Sequence, residues 1–284
     1  MFPRLLELGP LTVYGYELGP LTVYSYGVLL ASAYLFALYF AVRRARRFGL
    51  DGDRVLDLGI YLIISALIGA KLLLLIVDFE FFQRNPAELW TLARSGGVFY
   101  GGLVLAFAVG MWYMRKHRLA VWPTSDAIAP GIALGHVIGR FGCLLAGCCY
   151  GTATSLPWGI TFSDAFAAAN VGTPLHVALH PTQLYEAGTE FVILMFLLAT
   201  EKRWRRHAGW TFWVYILLYG VSRFVIEVFR GDPRGMTLGF STSQVISMVL
   251  VPLSLVMLLV LSRRAPEAPA EAKAAPASKR KRGR

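Results

Sequence analysis

The chain has 284 residues, 56% of them hydrophobic, with 28 Lys and Arg against 17 Asp and Glu and a mean hydropathy of +0.54. Soluble domains carry fewer apolar residues than this, so composition excludes an ordinary soluble protein of one or two domains. The net charge of +11 does not call for nucleic acid, because the basic residues stand in short clusters between apolar stretches and in the tail after Leu261, which is a topology pattern.

In chain order, residues 7–16, ELGPLTVYGY, return as 17–26, ELGPLTVYSY, with one difference. Two copies with a period of ten do not make a solenoid, so residues 1–20 read as an extracytoplasmic lead-in whose first copy is dispensable. Apolar stretches long enough to cross a hydrocarbon core of about 30 Å then predict helices over Val23–Val42, Leu56–Val77, Val98–Met114, Ser125–Leu145, Thr182–Thr200, Trp210–Phe229 and Leu238–Leu261. The first lacks a basic leader and a small-residue cleavage site, so it is expected to stay in the membrane. Residues 21–262 form one seven-helix domain on this reading. The Ala-, Pro-, Lys- and Arg-rich residues 263–284 cannot bury a core and read as a disordered basic tail that at most attracts anionic lipid.

The basic residues orient the spans. Arg43–Arg54, Arg115–Arg118, Lys202–Arg206 and Arg263–Arg284 place twenty on one side, whereas Arg4, Arg84, Arg94, Arg230 and Arg234 place five on the other. The fold class expected is therefore an all-α integral membrane protein of about seven transmembrane helices, with the N-terminus extracytoplasmic and the C-terminus cytoplasmic.

Three basic residues remain inside spans: Lys71, Arg140 and Arg223. Counted from the cytoplasmic ends, all three lie roughly 20 Å deep. Charge at that depth is costly, which suggests a shared anionic partner. Glu227 follows Arg223 by four residues and shares its helix face, so the two are expected to pair. Tyr26, Tyr100, His180, Gln183, Tyr185 and Glu186 enter the same zone from the outer side. Glycines 96, 97, 101 and 102 flank Tyr100, giving a junction whose backbone can approach a ligand or a neighbouring helix. Cys143, Cys148 and Cys149 are the only cysteines. Their spacing is not a paired zinc motif, and they read as small apolar packing residues with no metal bound; a soft-metal or redox site with His136 is the competing reading.

At GRFGCLLAGCCYG (139–151) the sequence resembles the bacterial prolipoprotein diacylglyceryl transferase family. GPLTVYSYG (19–27), GGVFYGGL (96–103), SDAIAP (125–130), HPTQLYEA (180–187) and YGVSRFVIEVFRGDP (219–233) extend the match across the membrane domain. The resemblance implies a multi-pass enzyme of the bacterial cytoplasmic (inner) membrane. Its reaction would move the sn-1,2-diacylglyceryl group of phosphatidylglycerol to the lipobox cysteine of a preprolipoprotein signal peptide, forming a thioether and releasing glycerol 1-phosphate. Phosphatidylglycerol, the preprolipoprotein and membrane lipid are the partners implied, without nucleic acid or cofactor. Tyr26, Arg140, Gly142, Gly151, His180, Gln183, Tyr185, Glu186, Tyr219, Arg223 and Glu227 match positions of the family's site. Tyr100 stands where the family has histidine, Cys143 where it has asparagine, and Cys148 where it has an acidic residue.

Negative charge grows on the leaving phosphate in such a reaction, and arginine offers a planar donor fork to stabilise it. Arg140 and Arg223 suit that role. Glu227 is expected to hold Arg223 or to accept the thiol proton, and Tyr26, Gln183 and Tyr185 to orient headgroup hydroxyls. Gly142, Cys143, Gly151, His180, Glu186 and Tyr219 complete the substrate-binding set, while Tyr100 serves catalysis as a hydrogen-bond donor. Two alternatives stay open: a same-fold paralogue with an altered acceptor, and an intramembrane anion or lipid transporter using the same arginines without chemistry. No discontinuous inverted repeat marks the latter.

Overall fold

The structure is a computed structural model that describes residues 3–9, 11–13, 16–18, 21–89, 97–204, 207–232, 235–237 and 239–263. Gly96, Arg94, Arg234, most of the tail and parts of the duplicated lead-in lie outside the described residues. The chain divides into two compact units, residues 1–40 with 128–284 and residues 41–127.

In chain order the helices are α1 (Ser25–Arg47), α2 (Gly52–Val77), the short α3 (Phe79–Arg84), α4 (Phe99–Lys116), α5 (Val121–Ala146), the short α6 (Ala165–Val171), α7 (Thr182–Trp204), α8 (Trp210–Ile226) and α9 (Thr242–Ser262). Each long helix falls where an apolar stretch predicts one. Five of them, α1, α2, α5, α8 extended to Phe229, and α9, are long and apolar enough to cross a membrane. The expectation of an all-α chain needs one amendment: among the described residues, strands of two to five residues pair in four antiparallel ladders. These strands lie outside the long helices, where backbone groups can pair only with other loop segments.

The lead-in is one such place. Arg4–Leu8 pairs with Leu21–Tyr24, and Leu11–Val13 pairs with Tyr16–Leu18. The two sequence copies thus meet in the ladders, with Glu7 opposite Thr22 and Thr12 opposite Glu17. Ser25 ties the ribbon to α1, its backbone N–H donating to Pro3 O at 3.1 Å. Tyr24 stacks on Phe166 of α6 with ring centroids 5.7 Å apart.

In the unit of residues 1–40 and 128–284, α5, α7 and α8 meet around Ala129, Ala133, Ile193, Leu194, Leu197, Val214 and Tyr215. Small alanines on α5 let the larger side chains of α7 and α8 close on it, the usual way membrane helices gain packing when lipid is as apolar as the core. Helix α9 starts later than its apolar stretch suggests. Met236–Thr237 and Phe240–Ser241 form a hairpin first, and Ser241 then caps the helix reciprocally with Gln244.

In the unit of residues 41–127, Asp51 caps α2 by accepting from the N–H groups of Asp53 and Arg54. Arg44, counted in the sequence among loop cations, is buried and donates to Ala127 O at 3.1 Å and Asp126 O at 3.3 Å. The glycine-rich junction is a helix contact. Val98 N–H donates to Ala70 O at 3.0 Å, and a Cβ added to Gly97 would lie 2.7 Å from Ala70 Cβ. Gly102 is equally tight, since its added Cβ would stand 2.6 Å from Ala66 O. Backbone cannot yield as a side-chain tip can, so Gly102→Val is expected to destabilise this packing by about 1–3 kcal/mol, as overpacking does. Gly188→Ala is the control, because nothing lies within 4 Å of its added Cβ. Thermal melting in detergent checks the pair: a lowered midpoint for Gly102→Val only is expected, and equal midpoints would remove the close-packing argument.

Candidate functional site

Four segments of one unit converge on Glu186, a buried residue one turn into α7. Its Oε1 accepts from Arg223 Nη1 of α8 at 2.5 Å and from Arg230 Nη1 at 2.8 Å. Its Oε2 pairs with Arg140 Nη2, three turns beyond Pro130 on α5. Arg223 also meets Glu227 Oε2 at 2.6 Å and Ser243 Oγ of α9 at 3.1 Å. Arg230 holds Asp232 with both faces of its fork, Nε to Oδ1 at 2.8 Å and Nη2 to Oδ2 at 2.9 Å. Three guanidiniums and three carboxylates therefore balance in charge. Burying them unpaired would cost several kcal/mol each, so the network is mutually dependent.

The i,i+4 spacing of Arg223 and Glu227 is read correctly from the sequence, although Glu227 belongs to a 3-10 turn that continues α8. That turn swings Arg230 inward. Arg230 and Asp232 are functional candidates that sequence reasoning missed, Arg230 having been counted as an outer loop charge. The available signal was the Arg-Gly-Asp spacing at the end of the block YGVSRFVIEVFRGDP. Arg230 is 8% exposed, which is burial and not a loop position. Burial alone would lower its pKa, but the Asp232 hydrogen bond, Cys149 and Glu186 more than offset this and raise it.

Of the other predicted residues, Gly142 faces Tyr26, whose Cδ2 would lie 3.4 Å from an added Cβ. Tyr26 itself is 40% exposed, so its ring is available at the edge of the unit. Gly151 is needed for close approach: an added Cβ would meet His180 Cβ at 2.5 Å and Phe229 O at 2.7 Å. The strand-like crossing there, Gly151 N–H to His180 O at 3.0 Å and Thr152 N–H to Phe229 O at 2.8 Å, joins the segment after α5 to those before α7 and after α8. His180 Nδ1 stands 3.1 Å from Tyr185 Oη, which accepts from Trp158 Nε1 at 2.8 Å.

Gln183 is fully buried, and its Nε2 donates to Cys148 O at 2.7 Å while its Oε1 has no protein partner among the described residues. It shapes the loop after α5. Tyr219 stacks on Tyr215 at 6.0 Å and, with Glu186, Glu190, Ser222, Arg223 and Ile226, lines a small cavity. Glu190 is the third residue missed. Buried one turn beyond Glu186, it meets His136 Nδ1 at 3.1 Å through Oε1, and its Oε2 has no partner among the described residues. His136 is turned to Glu190 and Tyr215, not to the cysteines.

The sulfurs of Cys143, Cys148 and Cys149 all lie within 4.8 Å of one another. Hydrogen bonds from the Cys143 and Cys148 thiols, with Arg230 and Arg140 nearby, hold Cys149 well below the usual thiol range, whereas hydrogen bonds with Cys143 and Cys149, together with burial, push Cys148 up. Tyr100 and Lys71 belong to the other unit. Tyr100 is half-buried in the first turn of α4, its ring edge-on to Phe99 at 5.6 Å, and Lys71 is half-buried in α2.

Residues 14–260 match the family model described as prolipoprotein diacylglyceryl transferase. A phosphatidylglycerol–prolipoprotein diacylglyceryl transferase of Clostridium tetani is 36% identical over 251 residues, 88% of this chain and 94% of the relative. The Geobacter sulfurreducens protein of that name is 34% identical over 235 residues, 80% and 87% of the two chains. A Clostridium perfringens protein carrying the name with the suffix 2 is 32% identical over 247 residues, 86% and 90%. With the match spanning nearly all the long helices and every residue of the arginine hub, the chain belongs to the prolipoprotein diacylglyceryl transferase family.

Proposed function

We propose that this chain transfers the diacylglyceryl group of phosphatidylglycerol to the thiol of a prolipoprotein cysteine, the first step of lipoprotein maturation. The relatives' names give the two substrates, and the observation that carries the reading to a site is the set of three arginines on one buried carboxylate. The acceptor would be the lipobox cysteine at the outer end of a signal-peptide helix, in the bacterial cytoplasmic membrane. The carbon–oxygen bond between glyceryl and phosphate breaks as the carbon–sulfur bond forms, the thiol proton departs, and glycerol 1-phosphate leaves.

Roles follow from exposure and partners. The Arg140 side chain is 18% exposed, against 7% for Arg223 and 2% for Arg230. Arg140 is thus the guanidinium that meets the phosphate, with Arg223 and Arg230 fixing Glu186 and, through it, Arg140. Both Glu186 oxygens are occupied by arginines, which makes Glu186 a holder and leaves proton removal to another group. Glu227 is held to Arg223 and serves the same scaffold. Tyr26 and Gly142 form the edge at which the headgroup would arrive, Cys143 and Gly151 bound the loop beside it, and Gln183, His180, Tyr185 and Tyr219 form its wall.

Removing one preorganised donor from a developing anion costs roughly 10²–10³ in rate. Arg140→Ala is expected to lose at least that much transfer while still inserting, and Arg140→Lys to recover part, since lysine keeps the charge but not the fork. Turnover of phosphatidylglycerol with a lipobox peptide, read as thioether mass gain, measures this. Full activity in Arg140→Ala would end the phosphate role. Intact phosphatidylglycerol with movement of an anion across vesicles would favour the transporter.

Tyr100 takes the place of the family's histidine but not its proton chemistry. A phenol lacks the basic nitrogen of an imidazole, yet it can still donate a hydrogen bond to a phosphate or glyceryl oxygen. A thiol with pKa near 8.5 already holds a few per cent thiolate at pH 7. Tyr100→Phe should therefore slow transfer on the order of tenfold, for one hydrogen bond of about 1–1.5 kcal/mol. The rate should still climb with pH as the acceptor thiolate forms; inactivity with loss of that basic limb would make the phenol the acid–base group.

The positive-inside count assigns seven crossings with the N-terminus outside. Reporter fusions are expected to put Arg46, Lys116 and Arg203 in the cytoplasm and Asn85 and Asn170 outside. An even number of crossings contradicts this topology.

A further inference from the structure

No cysteine of this chain takes a chemical step in the proposed transfer, and their geometry is not that of scattered packing residues. The chain has three cysteines in all, and all three sulfurs lie within 4.8 Å of one another. Cys143 comes from the last turns of α5, and the other two from the loop that follows. That loop is fixed from three sides: Thr173 Oγ1 donates to Gly147 O at 2.9 Å, Gln183 Nε2 to Cys148 O at 2.7 Å and Thr182 Oγ1 to Cys149 O at 2.6 Å. Cys149 itself sits at φ 65°, in the left-handed region that residues with a Cβ rarely adopt. A local strain of this kind persists only where the surroundings impose it. Here it turns the third thiol back toward the other two.

The geometry points to a three-thiolate site for a divalent thiophilic cation of the zinc class at Cys143, Cys148 and Cys149. Zinc–sulfur bonds of about 2.3 Å arranged trigonally put the sulfurs about 4 Å apart, a spacing within the observed bound. Three thiolates around a divalent ion carry one net negative charge; Arg140 and Arg230 stand nearby, although Glu186 and Asp232 already pair with them. Thiolate is the ligand that such soft or borderline ions prefer over the carboxylates of the neighbouring hub. Cys148 and Cys149 are only half-buried, so an ion can reach them. His136 is engaged by Glu190 and is not counted as a fourth ligand. The site borders the proposed transferase machinery through Cys143 and Arg140, and its test does not use activity, so the two readings fail separately.

Cadmium is the probe, because its bonds to thiolate give an ultraviolet charge-transfer band and this chain has no other cysteine to contribute one. The purified, reduced full chain in detergent is expected to bind one Cd²⁺ per chain with saturation of the band at one equivalent. Cys143→Ser, Cys148→Ser and Cys149→Ser should each weaken binding by at least about tenfold, since even losses beyond the ligands themselves cost that much. Should a variant fail to fold, alkylation of the unaltered chain decides: bound Cd²⁺ is expected to protect all three cysteines, counted by mass. Binding below one equivalent, insensitivity to the serine substitutions, or alkylation that Cd²⁺ does not slow would each mean an adventitious ion only, with the thiols acting as packing residues.

Discussion

Glu186 carries two oxygens and faces three guanidiniums, and the rest of the site is arranged around that ratio. Each arginine comes from a different segment, so the carboxylate fixes the end of α5, the last turns of α8 and the chain beyond it with one side chain. Taking any of these charges out of water is expensive, and the cost is recovered only if every partner is in place. Glu227 and Asp232 complete the balance by holding Arg223 and Arg230 from their far sides. A network of this kind is rigid, which suits the proposed stabilisation of a leaving phosphate, because donors that must reorganise during a reaction contribute less.

Small residues make the convergence possible. Gly151 lets the segment after α5 lie against His180 and Phe229, so that Arg230 reaches Glu186. Gly231 is as tight, its added Cβ falling 2.7 Å from Gly151 C. The same device operates in the other unit, where Gly97 and Gly102 press α4 against Ala70 and Ala66 of α2. In lipid no hydrophobic force draws helices together, so close backbone approach and van der Waals contact take over that function.

The sequence by itself determined the class of the protein and much of the site. Apolar stretches of about twenty residues require helices wherever lipid removes other hydrogen-bond partners, and each long helix stands where its stretch predicts. The blocks at 139–151, 180–187 and 219–233 contain the whole hub, and the four-residue step from Arg223 to Glu227 is enough to foretell their pairing, because helical geometry is local. The family could be read from those blocks because they keep the family's residue types in the family's order.

Other features were decided only by the tertiary structure. Arg230 looks like a loop charge until the 3-10 turn after α8 carries it inward, and Arg44 looks like a topology signal until its donors meet α5. Gln183 gives no local sign that its Nε2 donates to the Cys148 carbonyl, and Glu190 gives none of its meeting with His136. The duplicated lead-in reads as redundant, yet its copies pair with each other across the ladders. Each of these depends on which distant segment lies alongside, and hydropathy and spacing carry no information about that because they are properties of one segment at a time. The three sulfurs are the clearest case: their sequence spacing fits no metal motif, yet they lie within 4.8 Å of one another in a loop where Cys149 is left-handed.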